Sequence, residues 1–242
     1  MGFLHNLLNF IFPPHCSICK KYLEPDEKVV CNECFNGIPV IVPPFCARCG
    51  KPTKSENVCN DCIKNPHQFT RLIALSEYSD ITRDFVLLFK NRQKFSLGKR
   101  LASLMAVLIK QDEFIFSADV IIPVPIHMVV RRHRGFNQSE ILATEISKIT
   151  DIPMISDVLI QVKRTQPQKY YSIKDMDKEA REEKRILNVK GAFKVINSDT
   201  VKNKRILIVD DVCTTGATLD ECSRELYKAG AEDVYAVVIA KA

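Results

Sequence analysis

Two adjacent carboxylates, Asp210 and Asp211, stand just ahead of a threonine-rich turn in the stretch RILIVDDVCTTGATLDECSRELYKAG. Thr214, Thr215, Gly216, Ala217 and Thr218 would wrap the start of a helix, offering backbone N–H groups, hydroxyls and the positive helix end to a phosphate. Bare phosphate would be repelled by the two acids. The vicinal hydroxyls of a ribose would instead donate hydrogen bonds to them, so the turn asks for a ribose 5-phosphate. Two acids capping a helix beside a polar turn are the plainer alternative, and capping leaves the rest of the pattern unexplained. The elements that must hold these groups are legible on either side. Ile206 to Val209 form an unbroken apolar run suited to a strand covered on both faces. Leu219, Cys222, Leu226 and Ala229 then recur at helical spacing, and Gly230 closes the helix.

A second chemistry is carried by cysteine. Eight of the ten cysteines form four C-x-x-C pairs: Cys16 and Cys19, Cys31 and Cys34, Cys46 and Cys49, Cys59 and Cys62. Such a pair turns two thiolates onto one ion, and two pairs complete the tetrahedral sulfur shell that zinc prefers. About two structural zinc ions follow from the ligand count. The simplest pairing joins the first pair to the second and the third to the fourth, with interleaving as the alternative. Little apolar material lies between Pro13 and Pro66, so metal binding should supply most of the folding free energy there. Gly50, directly after Cys49, offers the backbone freedom that a zinc knuckle uses. Cys213 and Cys222 lie far downstream and fit small buried positions.

The 242 residues, 46% of them hydrophobic, suffice for one ordinary domain plus a smaller satellite. A net charge of +6 and a pI near 8.7 admit an anionic partner but exclude the extreme charge of a histone-like binder. The apolar run FLHNLLNFIFPP lacks a basic leader segment and ends at Pro13-Pro14, too early for a membrane span. It is expected to form a short amphipathic helix with Phe3, Leu7, Leu8 and Ile11 on one face, for packing or for membrane-peripheral contact. With no secretory signal the expected compartment is the reducing cytoplasm, where these cysteines would not pair as disulfides.

Composition shifts after NPHQF, placing a boundary near Phe69 between a zinc-ribbon module (residues 1–68) and a larger domain (residues 69–242). RLIALSEYSD, ADVIIPVPI and DVYAVVIAKA resemble strands, and ITRDFVLLFKNRQKFSLGKRLASLMAVLIKQ resembles two helices around a basic joint. GFNQSEILATEISKITDI has helical spacing behind Asn137, expected to cap, and Gln138, expected to meet a ligand. Strands alternating with helices predict an α/β domain: a parallel sheet with helices on both faces, binding ligands at the carboxyl ends of its strands.

Two basic stretches suit an anionic backbone. Arg131, Arg132, His133 and Arg134 precede Gly135, while Lys90, Arg92, Lys94, Lys99 and Arg100 flank Phe95. Aligned in space, Arg131, Arg132, Lys90, Arg92 and Lys94 would present single-stranded DNA with one electropositive surface, with solvated loop and helix charges as the alternative. Tyr170 and Tyr171 could stack nucleobases or pack against the body.

The apolar run, paired acids and T-T-G-x-T turn resemble the phosphoribosyl diphosphate (PRPP) motif of type I phosphoribosyltransferases. With DVIIPVPIHMVVRRHRGFNQSEILA, RILNVKGAFKV and the cysteine pairs, the chain from about Leu8 to Ala242 is similar to the ComF family, a zinc finger fused to a phosphoribosyltransferase-like domain. The resemblance implies a PRPP site built from Asp210, Asp211 and residues 214–218, with Arg134 and Gly135 at the pyrophosphate and magnesium accompanying it. It implies that VKRTQPQKYYSIKDMDKEAREEKRILNVKG, with Lys163, Arg164, Gln166, Arg185 and Asn188 in its ends, is a flap over the substrate, longer than is usual. It also implies a cytosolic role in natural transformation, handling incoming single-stranded DNA near a competence helicase. An active transferase joining a nitrogenous base to PRPP is the competing expectation, although the 24 residues after Thr218 leave no legible acceptor pocket. The zinc module could cover the site instead. An adaptor that senses PRPP and binds a protein partner is a third reading.

Overall fold

The computed structural model describes residues 13–54, 58–90, 94–166 and 178–242. The expected N-terminal helix, Arg92, Tyr170 and Tyr171 lie outside them. Two one-turn helices, α1 (Asn32–Asn36) and α2 (Asn60–Lys64), belong to the cysteine-rich front. The larger part runs β1 (Arg71–Glu77), α3 (Asp80–Phe89), α4 (Phe95–Gln111), α5 (Glu113–Phe116), β2 (Val120–Pro123), α6 (Met128–Arg134) and α7 (Gln138–Thr150). It continues with β3 (Leu159–Gln161), α8 (Lys178–Val189), β4 (Phe193–Val195), β5 (Arg205–Cys213), α9 (Ala217–Lys228) and β6 (Asp233–Lys241).

Four strands form a parallel sheet in the order β1-β6-β5-β2, and β3 and β4 make a separate antiparallel pair. Both faces of the sheet are covered, which is why its central strands are apolar throughout. Along β5, Leu207 and Val209 enter one core with α4 and α7, while Ile206 and Ile208 enter the other with α9, β3 and β4. Three helix starts of the larger part are capped by short polar side chains. Ser79 caps α3 through Thr82 N–H, Asp112 caps α5 through Ile115 N–H, and Asn137 caps α7 through Ser139 N–H, as expected. The cationic residues before Gly135 form a short helix rather than a loop, capped by His127 and closed by Gly135 at φ +86°.

The front end is a tandem repeat that the cysteine spacing only hinted at. Cys16 N–H bonds Lys21 O at 2.8 Å and Cys46 N–H bonds Lys51 O at 2.8 Å; Cys16 Sγ accepts from Cys31 N–H, as Cys46 Sγ does from Cys59 N–H. The knuckle residues Lys20 and Gly50 share the left-handed region, at φ 65° and 69°. Only the second must be glycine. A Cβ on Gly50 would come within 2.8 Å of Leu72 O.

Metal is not the sole source of order in this module. Val30, Phe35 and Ile38 are buried in the same core as Phe85, Leu101 and Leu207, and Arg100 stacks on the Phe35 ring at 3.8 Å while donating to Val30 O and Asn32 Oδ1. Between the ribbons the chain runs antiparallel to β1, with Val40 opposite Ser76 and Ile41 N–H bonded to Leu75 O at 2.9 Å. No helix among the described residues is long and apolar enough to cross a membrane.

Candidate functional site

The acid pair sits in the carboxyl-terminal part of β5, just past its pairing with β2 and still alongside β6. Asp210 Oδ1 accepts from Ser139 Oγ on α7 at 3.0 Å and from Asp211 N–H at 2.8 Å. Burial and the neighbouring Asp211 charge push the Asp210 carboxyl up to about 7. Asp211 Oδ2 lies 2.9 Å from Lys90 Nζ at the end of α3. Burial opposes the lysine's charge, but Asp211 outweighs it and the ammonium's pKa is raised. Lys90 therefore belongs to the acid pair, apart from the basic surface expected of it.

The turn after the acids is gripped from two sides. Lys241 Nζ donates to Thr214 O at 2.6 Å. Gly216 takes φ +87° as the N-cap of α9, and a Cβ there would lie 2.5 Å from His67 Cε1. His67, in the linker from the second ribbon, stacks on Phe69 with centroids 4.5 Å apart. Its Nδ1 is 2.8 Å from Asp220 Oδ2, and Gln68 N–H donates to Asp220 Oδ1 at 2.7 Å. A carboxylate only accepts, so His67 Nδ1 carries the proton.

These groups open onto a crevice of about 1150 Å³. One wall is Asp210, Asp211, Thr214, Thr215 and Thr218; Lys90 and Arg134 stand on another, with Glu182 and Arg185 of α8 nearby. The remaining wall is the second ribbon, through Cys49, Lys51, Asp61, Asn65 and His67. Gln138 is buried, its Oε1 accepting from Arg134 Nη1 at 2.6 Å, so it orients the arginine, while its Nε2 is buried without a hydrogen-bond partner. Gly135 closes α6 and Ala217 is packed in the core beneath the turn. At the base of the long flap segment, Gln166 N–H donates to Asn188 Oδ1 at 2.9 Å and Asn188 Nδ2 returns a bond to Gln166 O at 3.0 Å. Lys163 and Arg164 are exposed there.

The expected basic surface is only partly assembled. Arg131 pairs with Glu140 at 3.0 Å and Lys94 Nζ reaches Ser17 Oγ of the first ribbon at 3.3 Å, while Lys99 lies 3.9 Å from Glu145. Arg132 is exposed. Phe95 meets Phe136 edge-on at 5.0 Å, bringing the start of α4 against the end of α6. Phe136, Ser139, His67, Asp220 and Lys241 escape sequence reasoning. A histidine in a linker and an aspartate in an amphipathic helix carry no local signal of their 153-residue separation being bridged.

The cysteines gather as Cys16, Cys19, Cys31, Cys34 and as Cys46, Cys49, Cys59, Cys62, each set with its sulfurs within 4.8 Å. The sequential pairing holds and the interleaved one does not. Four thiol ligands per cluster fit the closed sulfur shell of a structural zinc site. Cys16 and Cys46 thiols are lowered to about 6: burial works against this, but backbone N–H groups favour the thiolate. Cys213 and Cys222 are buried, and burial pushes the Cys213 thiol up to about 12.

The α/β fold is that of a phosphoribosyltransferase-like domain behind a double zinc ribbon. Family models described as "Double zinc ribbon domain" and "Phosphoribosyl transferase domain" match residues 7–63 and 133–242. The chain is a homologue of the competence protein F, ComFC and YhgH proteins. It is 28% identical to "Competence protein F" of Haemophilus influenzae over 98% of this chain and 100% of that one. Identity is 28% to "DNA utilization protein YhgH" of Escherichia coli K12, over 92% and 94% of the two chains. With "Competence protein ComFC" of Bacillus subtilis it is 23%, over 86% and 81%.

Proposed function

We propose that this chain handles single-stranded DNA and carries a ribose 5-phosphate site, a reading supported by homologues named for competence and for DNA utilization. The observation that carries the second half is the crevice: an acid pair, a polar helix-start turn and two cations, Lys90 and Arg134, face one cavity. PRPP fits each part chemically. Its ribose hydroxyls would replace Lys90 at the acids, its 5-phosphate would take the turn amides, and its pyrophosphate would meet Lys90 and Arg134. Magnesium accompanying PRPP would offset the charge of the diphosphate, with Asp210 and Asp211 as the carboxylates available to help hold it.

DNA would lie outside the crevice, since its sugars lack the hydroxyl pair and its phosphates are repelled by Asp210 and Asp211. Lys94 stands next to the half-exposed Phe95, and Arg131 and Arg132 lie on the helix that Phe136 joins to it, which suits backbone contact plus base stacking. A cytoplasmic location and a helicase partner follow from the same reading.

A catalytic phosphoribosyltransferase is the second reading, favoured by one observation: the second ribbon lines the crevice and would offer an acceptor base a wall. Binding measured on one preparation tests the first reading. Asp210→Asn with Asp211→Asn is expected to weaken PRPP binding at least about tenfold. Arg131→Ala with Arg132→Ala should lower oligonucleotide affinity and flatten its salt dependence by up to about two units of slope. PRPP and DNA should bind together; mutual exclusion would overturn the separate placement. Pyrophosphate release from PRPP with any nucleobase would favour the transferase.

A further inference from the structure

The second ribbon does more than wall the crevice; it reaches the turn itself. We infer that His67 is a positioning residue for the 214–218 turn, acting through Asp220 and Gly216, and that the second zinc ribbon thereby sets the affinity of the crevice for ribose phosphate. The inference deepens the ribose-phosphate reading and rests on it.

Four contacts carry it. His67 Nδ1 and Gln68 N–H clamp both oxygens of Asp220, in the first turn of α9, at 2.8 and 2.7 Å. The imidazole fills the space that a Cβ at Gly216 would need, so the glycine cannot shift toward it. The ring is backed by the buried Phe69 at 4.5 Å, and the His67 carbonyl is held by Arg48 Nη1 at 2.9 Å. Arg48 lies between the ribbon ligands Cys46 and Cys49, so the clamp is fixed to the second metal cluster. Asp220 is also turned toward the linker, which keeps its carboxylate off the amides that an incoming phosphate needs. By contrast the first ribbon docks on α3 and α4 through Phe35 and Arg100, and none of its residues lines the crevice.

The test uses the full zinc-loaded chain with PRPP as probe. His67→Leu and Asp220→Ala should each raise the Kd about tenfold, the loss of a charge-assisted bond. The double variant should be no worse than either single one, because both break the same clamp. His67→Asn, whose Nδ2 occupies the place of Nδ1, should stay within about threefold of the wild type. Additive losses, or no rescue by asparagine, would overturn the clamp. Hydrogen exchange of the free protein gives a ligand-independent readout: the amides of residues 215–218 should exchange faster in His67→Leu and not in His67→Asn. Unchanged exchange would refute the positioning role even if PRPP binds. Faster exchange in a chain that never binds PRPP would sink the ribose-phosphate reading and leave the clamp standing.

Discussion

At the scale of single residues, Asp210 carries a buried carboxyl beside a second acid. Its carboxyl is pushed up to about 7, so from about pH 4 to about pH 7 the folded chain holds a proton that the unfolded chain has released. Stability therefore falls as pH rises through that window and is level above it. Asp210→Asn removes the charge while keeping an oxygen for Ser139 and Asp211 N–H. It should stabilise the free protein by up to about 4 kcal/mol at pH 8, about 1.4 kcal/mol for each pKa unit of the shift, and by little at pH 4, read from urea unfolding at both. Equal effects at the two pH values would contradict the burial argument. The same change should cost ligand binding, which is the usual trade at a functional site. The acids and the turn were visible in the sequence because they are neighbours in the chain. The contacts of Lys90, Gln138 and His67 were not visible there, because their partners lie on other elements: Lys90 meets Asp211 across the sheet end, and Gln138 holds Arg134 at the end of the preceding helix.

Among elements, the sheet and its long helices were legible from apolar runs and helical spacing, since both faces of the sheet are buried. The β3–β4 pair and α8 were hidden inside a charged stretch, where three-residue strands give too short a pattern to detect. The cationic run of α6 offered no apolar stripe and none of its residues is buried, so nothing but its cap and Gly135 marks it as helical. Helix α4 shows how tightly such elements must meet. A Cβ on Gly98 would lie 2.4 Å from Phe89 Cε2 and 3.2 Å from Ile141 Cγ2, where α3, α4 and α7 converge. Gly98→Ala should destabilise the protein by about 1–3 kcal/mol despite the better helix propensity of alanine, and adding Phe89→Leu should restore part of the loss. A stabilised single variant in a urea melt would refute this packing.

For the whole molecule, the boundary near Phe69 is a true change of composition but not a seam in the packing. Phe35, Ile38 and Val30 of the ribbons complete the core that Phe85, Ile73 and Leu207 begin. Chelating the metal should therefore lower the main calorimetric transition by several degrees instead of adding a separate small one below it. Two resolved transitions, with the larger unmoved, would show the modules to be independent. The chain between the ribbons and the first knuckle of the second ribbon also lie along the outer side of β1, where Ile41 N–H bonds Leu75 O and Arg48 O accepts from Leu72 N–H. With that cover gone, β1 would present a row of unmatched amides and carbonyls to other copies of itself. Metal starvation thus threatens more than the loss of a front-end fold, because it turns a guarded border into a template for aggregation.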